Sequence, residues 1–477
     1  MKYLLSRKLV IEGIVCYNIF YGGKIMSTIV AISTAPGIGG IGIVRMSGKD
    51  CFDVLSRIFR PISDSTIKGY SIKYGKIVDG DKVIDEVLVS YFVAPKSYTT
   101  ENMCEINSHG GSVVMKKILD LCLRNGADLA EPGEFPKRAF LNGRIDLTQA
   151  EAVIDIINSK TDKEAIASIN QLEGSLSARV TEIRDDLISG MADIEASIDY
   201  PEYDEVEITN SKILAILERN RKKLEQLEGA FSNGKILREG IKTAIIGRPN
   251  AGKSSLLNLL LNEERAIVTE IEGTTRDTIE EFISLGGIPF KIIDTAGIRE
   301  TVDTVEKIGV KKAIDIAKQS DLIIAIFDIT KNLTTEDQKI LEILKDKNSI
   351  IILNKIDISI ESVSEKIFEK YSKNIVKMSM KTREGLDNLI KMMQNITETE
   401  DIKSDGELLV INSRHQALIY KAKISINSAI DTLKASMPVD VVAIYMKEVL
   451  EELGKITGET VTDDVINEIF SKFCLGK

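Results

Sequence analysis

Groups suited to phosphate, divalent cations and a purine edge follow one another in order between residues 247 and 381. Gly247-Arg248-Pro249-Asn250-Ala251-Gly252-Lys253-Ser254 is a complete G-x-x-x-x-G-K-S loop, continued by Ser255. Its glycines let backbone N–H groups close around phosphate oxygens, helped by the positive end of a following helix. Lys253 would reach the outer phosphates and the Ser254 hydroxyl would ligate Mg²⁺. Downstream, Asp294 ends a strand-like run and can hold Mg²⁺ through water, while Gly297 of Thr295-Ala296-Gly297 can offer its N–H to a γ-phosphate. Asn354-Lys355-Ile356-Asp357 is an N-K-x-D run. Its aspartate accepts from guanine N–H groups that adenine lacks, so an unmatched base leaves a buried acceptor unpaired. Together these motifs imply GTP.

Two positions qualify this reading. Ser379-Met380-Lys381 stands where guanine sites usually carry S-A-K, and Met380 departs from that pattern. After Gly297 comes Ile298, which cannot orient water as a glutamine would, so hydrolysis needs another group. Glu300, Asp303 and Glu306 are the nearby acids, and residue chemistry alone does not choose among them. Thr269-Glu270-Ile271-Glu272-Gly273-Thr274-Thr275-Arg276-Asp277 fits a first switch, with Thr275 as second Mg²⁺ hydroxyl.

These groups need a scaffold. Ile241–Ile246 reads as a buried strand and Ser255–Leu260 as the first turns of a helix, the setting the loop requires. Further strands at Leu322–Asp328, Ser349–Leu353 and Asn374–Met378 alternate with helical runs, which predicts a mostly parallel sheet. Ser232-Asn233-Gly234 reads as a linker into this domain, and the acidic stretch from Thr397 to Asp405 as the linker out.

At 477 residues the chain exceeds one core. With 62 basic and 72 acidic residues its net charge is −10, which excludes a generally basic nucleic-acid binder. An RNA partner then needs a local basic patch or a second protein. Five unpaired-looking cysteines imply reduced thiols, and no apolar run reaches membrane-span length. Residues 1–25 read as a disordered extension or upstream-start artefact before Met26. The G-x-G-x-x-G of Gly37 to Gly42 is followed by a strand-like run, not the helix a dinucleotide site requires, so a glycine hairpin or loop is expected. His109-Gly110-Gly111 lacks any G-x-S-x-G partner and reads as a structural turn. From Leu147 the period becomes helical, with Leu176, Val180, Ile183, Leu187, Met191, Ile194 and Ile198 forming one seam. A second helix is expected from about Ser211 to Phe231, and others at Arg414–Leu433 and Val439–Leu453.

The G-R-P-N-A-G-K-S, G-T-T-R-D, D-T-A-G-I-R-E and N-K-I-D runs resemble the MnmE (TrmE) family of tRNA-modification GTPases, in the TrmE-Era-EngA-like group. So do P-G-I-G-G-I-G-I-V-R, Ser97-Tyr98-Thr99-Thr100-Glu101, Pro132-Gly133-Glu134-Phe135 and the terminal Cys474-Leu475-Gly476-Lys477, and the resemblance covers Met26 to Lys477. It implies a multidomain architecture: an α+β folate-binding and dimerisation domain (26–143), a discontinuous helical-bundle domain (144–234 and 401–477) and an inserted α/β P-loop GTPase domain (235–400). It assigns Arg45, Glu105, Arg144 and Lys477 to a 5-formyl- or methylene-tetrahydrofolate, and makes Cys474 a candidate thiol. It assigns K⁺ to Asn250, Thr269, Ile271 and Thr274, and the water-positioning carboxylate to Glu306. The implied activity is K⁺-activated GTP hydrolysis in the cytoplasm by a homodimer. With an FAD-dependent MnmG (GidA)-type partner in a heterotetramer, it installs a carboxymethylaminomethyl-type group on carbon 5 of the wobble uridine of certain tRNAs. A ribosome-assembly GTPase or a regulatory switch is the alternative.

Overall fold

The computed structural model describes residues 27–63, 67, 69–199, 206–263, 281–293, 316–345, 347–358, 363–397, 412–474 and 476. The chain divides into two compact units, one comprising residues up to 154, 174–222 and 418 onward, the other 155–173 and 223–417.

The first unit contains a seven-stranded sheet, built from β1 (Ile29–Ile32), β2 (Gly39–Ser47), β3 (Phe59–Pro61), β4 (Ser71–Asp79), β5 (Lys82–Phe92), β6 (Met103–Gly110) and β7 (Asp128–Leu129). The order is β3-β4-β5-β6-β2-β1-β7, antiparallel except for β1 beside β7. Alternation along β2 sends Val44 and Met46 into the core formed with helices α1 (Cys51–Ile58) and α2 (Ser112–Arg124). Ile43 and Arg45 therefore face the other side, and the register sets Arg45 opposite Glu105. The expected glycine hairpin forms, joining the antiparallel β1 and β2, with Gly39–Gly42 already in β2. Gly39 pairs with Gly110, where an added Cβ would lie 2.5 Å from the Gly39 carbonyl, so the two backbones approach too closely for any side chain.

On that second face, Ile29 and Ala31 meet Phe135 of α3 (Glu134–Leu141). Behind it, Ala139 and Leu147 pack with Ile466, Phe470 and Phe473, the last three on or just after the C-terminal helix Asp463–Ser471. The apolar seam predicted after Leu176 forms the helix Ser175–Asp199, buried from Leu176 through Ile194. Ile198 departs from expectation and is 50% exposed, because the seam has left its partners by the last turn. This helix packs against Val439–Thr457, which follows the helix Ser413–Lys434.

The second unit holds a six-stranded sheet of β8 (Ile241–Gly247), β9 (Glu281–Leu285), β10 (Ile288–Ile292), β11 (Leu322–Asp328), β12 (Ser349–Asn354) and β13 (Ile375–Met378). The order β13-β12-β11-β8-β10-β9 is parallel except for the β9–β10 hairpin. Strands buried on both faces explain the continuous Ile/Leu/Val runs. Leu256, Leu257 and Leu260 of the helix Lys253–Glu263 and Leu389 of Leu386–Thr397 cover one face; Ile340, Leu341 and Leu344 of Thr335–Leu344 cover the other.

One expectation fails. Ser232-Asn233-Gly234 is not a linker, since Val206–Glu239 is one 34-residue helix. Interior glycine costs about 1 kcal/mol against alanine, and contacts beyond it offset that cost. Leu237 is buried against Ala167 of the helix Asp162–Leu172, and Arg238 pairs with Asp155 at 2.9 Å.

Candidate functional site: a phosphate cradle, a base-facing loop and an arginine pocket

The phosphate loop joins β8 to the helix that begins at Lys253. Three of its residues adopt positive φ: Gly247 (156°), Asn250 (62°) and Gly252 (116°). A side chain at Gly252 would meet Asn354 Nδ2 at 2.5 Å, so this glycine serves both the turn and the approach to the N-K-x-D strand. Lys253 Nζ donates to the carbonyls of Gly247 (2.7 Å) and Arg248 (2.9 Å), curling over the loop. Its burial lowers the ammonium pKa. Asn250, Ala251, Ser254 and Ser255 lie within the same turn and helix start.

Asn354 ties this loop to the N-K-x-D side. Its Nδ2 donates to the Ala251 carbonyl (2.7 Å), and its Oδ1 accepts from the Met380 N–H (3.2 Å). Asp357 Oδ1 accepts from the Ser379 hydroxyl at 2.8 Å. Thus Asn354, Lys355, Ile356 and Asp357 and Ser379, Met380 and Lys381 form one connected surface, and Met380 contributes through its backbone. Lys355, at φ 75°, pairs with Asp328 Oδ2 at 2.6 Å. Burial pushes the Asp328 carboxyl upward, but bonds from Lys355 and Thr330 and the Lys355 charge outweigh it and hold the pKa below its ordinary value.

Thr269, Glu270, Ile271, Glu272, Gly273, Thr274 and Thr275 lie outside the described residues, as do Asp294, Thr295, Ala296, Gly297, Ile298, Glu306 and Lys477.

A second charged centre sits on the α3-covered face of the first sheet. Arg45 contacts Glu105 Oε1 through both Nε and a terminal nitrogen at 2.8 Å, and its guanidinium lies 5.6 Å from the Phe135 ring centre. Arg144 stacks over Tyr98 at 4.8 Å. Burial raises the Tyr98 pKa, with the charges of Arg144 and Arg45 acting against it, so both cations address one ring. A further network lies in the same domain: the buried Arg138, 2% exposed, bridges the part-buried Glu101 and Glu134, and Glu101 accepts from Ser47. The Gly476 carbonyl accepts from Ser33 at 2.8 Å, just past β1, while Cys474 is exposed. The structure therefore brings Arg45, Glu105 and Arg144 together and adds Tyr98 and Phe135 to them. Sequence reasoning quoted the Ser97–Glu101 and Pro132–Phe135 runs but gave these aromatics no role. An aromatic beside glycine and acid carries no periodic signal.

Comparison with known proteins follows the same division. Residues 28–144 match the GTP-binding protein TrmE N-terminus, and residues 147–474 match the MnmE helical domain. The tRNA modification GTPase MnmE of Clostridioides difficile is 49% identical over 454 residues, covering 94% of this chain and 99% of that protein. That of Acetivibrio thermocellus is 48% identical over the same shares. The chain belongs to the MnmE family of tRNA modification GTPases. The solved G domain of the T. maritima FeoB iron transporter is 23% identical over 33% of this chain and 99% of that one, with a TM-score of 0.25. Like its MnmE relatives, the chain is a multidomain GTPase with an N-terminal domain, a helical domain and a P-loop G domain. Among the described residues no helix is long and apolar enough to cross a membrane.

Proposed function

We propose that this GTPase binds GTP with Mg²⁺ at the phosphate loop, and that K⁺ beside Asn250 promotes hydrolysis. Hydrolysis then drives modification of carbon 5 of the wobble uridine in certain tRNAs. The observation carrying this reading is the pairing, in one MnmE-family chain, of the Lys253 cradle with a separate arginine–aromatic pocket at Arg45, Glu105, Arg144 and Tyr98. The donor set fits both groups. Backbone turns and a lysine suit polyphosphate; a carboxylate suits a pterin amidine edge, and arginines suit a carboxylate tail. Tetrahydrofolate would supply the carbon unit there. Ser254 and Thr275 would hold Mg²⁺, Thr269, Ile271 and Thr274 would join Asn250 around K⁺, and Glu306 would position water. A monovalent cation beside the phosphates supplies the charge that an arginine finger gives elsewhere.

The working assembly in this reading is a cytoplasmic homodimer that joins an FAD-dependent MnmG-type protein, which carries most of the tRNA contact because this chain is acidic. The G domain is inserted between helical segments 144–234 and 401–477. The grouping of residues 174–222 with those from 418 onward supports this arrangement. The deciding experiment is steady-state GTP hydrolysis in KCl against NaCl, with Asn250→Ala alongside. Strong K⁺ stimulation lost in the variant is the expected result, and equal turnover in both salts would overturn the cation's role.

A further inference from the structure

The strand β11 carries no nucleotide motif, yet its C-terminal end lies between two strands that do. Ile326 pairs with Gly247 of the phosphate loop, and Asp328 pairs with Asn354 of the N-K-x-D run. The Ile329 N–H continues this pairing to the Asn354 carbonyl at 3.2 Å. From this end, two side-chain ties run outward.

One is Asp328 Oδ2 to Lys355 Nζ, at 2.6 Å, while Oδ1 of the same carboxylate accepts from Thr330 N and Oγ1. The other starts nine residues later. Thr334 and Asp337 form a capping box at the helix Thr335–Leu344, and Asp337 Oδ2 is consumed by Thr334. The remaining oxygen, Asp337 Oδ1, pairs with Arg248 Nε at 3.1 Å, and Arg248 also donates to Thr334 Oγ1 at 3.4 Å. The Asp337 side chain is only 2% exposed, so its charge depends on that guanidinium. Arg248 in turn owns one of the two carbonyls that hold Lys253 Nζ.

We infer that the segment Asp328–Asp337 is a strut that positions the two halves of the nucleotide site separately: Asp337 and Thr334 set the phosphate end through Arg248, and Asp328 sets the base end through Lys355. Neither acid touches nucleotide in this scheme; both are positioning residues. Asp328 pins a lysine whose backbone is held at positive φ, a conformation that loosens once its side chain is released. Asp357, two residues on, then loses its fixed aim at the guanine edge. Asp337 pins the loop backbone that aligns Lys253, which acts on the reacting phosphates.

This inference rests on the proposed GTP site, and its test separates the two. The full chain is assayed for GDP and ADP affinity and for kcat at saturating GTP. Arg248→Met and Asp337→Asn are expected to lower kcat about tenfold while shifting the GDP-over-ADP ratio by no more than about twofold. Arg248→Lys should recover part of that loss. Asp328→Asn is expected to lower the GDP-over-ADP ratio about tenfold, with a far smaller change in kcat. Thermal unfolding of each variant accompanies the assays, and the two variants at the phosphate end stand in for each other if one fails to fold. Variants that move both readouts together, or change only the melting temperature, would overturn the strut. A wild-type chain without preference for GDP, or an Asp357→Asn variant that does not turn toward xanthosine diphosphate, would instead sink the nucleotide reading itself.

Discussion

In the G domain, Lys253 is held by carbonyls six and five residues away; in the N-terminal domain, Arg45 is held by a carboxylate sixty residues away. The first centre is made by the backbone of one turn. Any chain with those glycines, in that strand-to-helix setting, closes the same cradle. The second is made by side chains from two strands, a loop and a helix, and exists only once the sheet register is set. The contrast also shows in what supports each centre. The lysine leans on peptide groups, which substitution cannot remove, whereas Arg45 leans on Glu105 and Phe135 and Arg144 on Tyr98, all of which it can.

The largest expected effect on activity is at the cradle. Lys253→Ala should lower GTP turnover by at least about 100-fold, the scale for removing a preorganised charge at a reacting centre; stopped-time phosphate release would check it. The largest expected effect on stability is in the other region. Arg138→Met leaves the part-buried Glu101 and Glu134 without their cation and should destabilise the first unit by roughly 2–4 kcal/mol in urea unfolding of the full chain. A loss below about 1 kcal/mol would mean the network is hydrated and the contrast is weaker than drawn. Gly252→Ala comes next, at about 1–3 kcal/mol, since its φ of 116° and the nearby Asn354 amide both oppose a methyl group. Tyr98→Ala should weaken 5-formyl-tetrahydrofolate binding about tenfold, with a smaller effect on GTP; equilibrium fluorescence titration with each ligand is the check.

The last effect expected is one of pH. Glu164 caps its own helix by accepting from the Lys160 N–H at 2.7 Å, and burial raises its pKa from 4.5 to about 7. The folded chain thus holds a proton the unfolded chain releases, so this site's stabilising contribution is full below about 4.5 and is lost as pH rises toward 7. Glu164→Gln keeps the cap acceptor and removes the titration. It should flatten that part of the stability profile by on the order of 1–3 kcal/mol, read by unfolding at pH 5 and pH 8.

The same division governs what could be read beforehand. The G domain's strands were visible as apolar runs, and its site as ordered motifs, because both are local. The N-terminal pocket was legible only through resemblance: nothing in the spacing of Arg45, Tyr98, Glu105, Phe135 and Arg144 says that they converge, since that depends on a register of Arg45 with Glu105. Asp328 and Asp337 were passed over for a related reason. An aspartate at a strand end and another inside a helix-start pattern both have sufficient local explanations, and their second partners lie in other segments. The helix through Ser232–Gly234 shows the opposite error, where a turn-like composition was overridden by packing of Leu237 and Arg238.

The helix bearing Arg138 meets the C-terminal helix through residues as distant as Lys137 and Asn467, 330 positions apart. Closing so long a loop in an unstructured chain is entropically costly and slow. Folding has an inexpensive order available: the segment between collapses first as its own unit and brings those ends within reach. The contact between α3 and the C-terminal helix is then a late product of folding, made only after the intervening segment has collapsed.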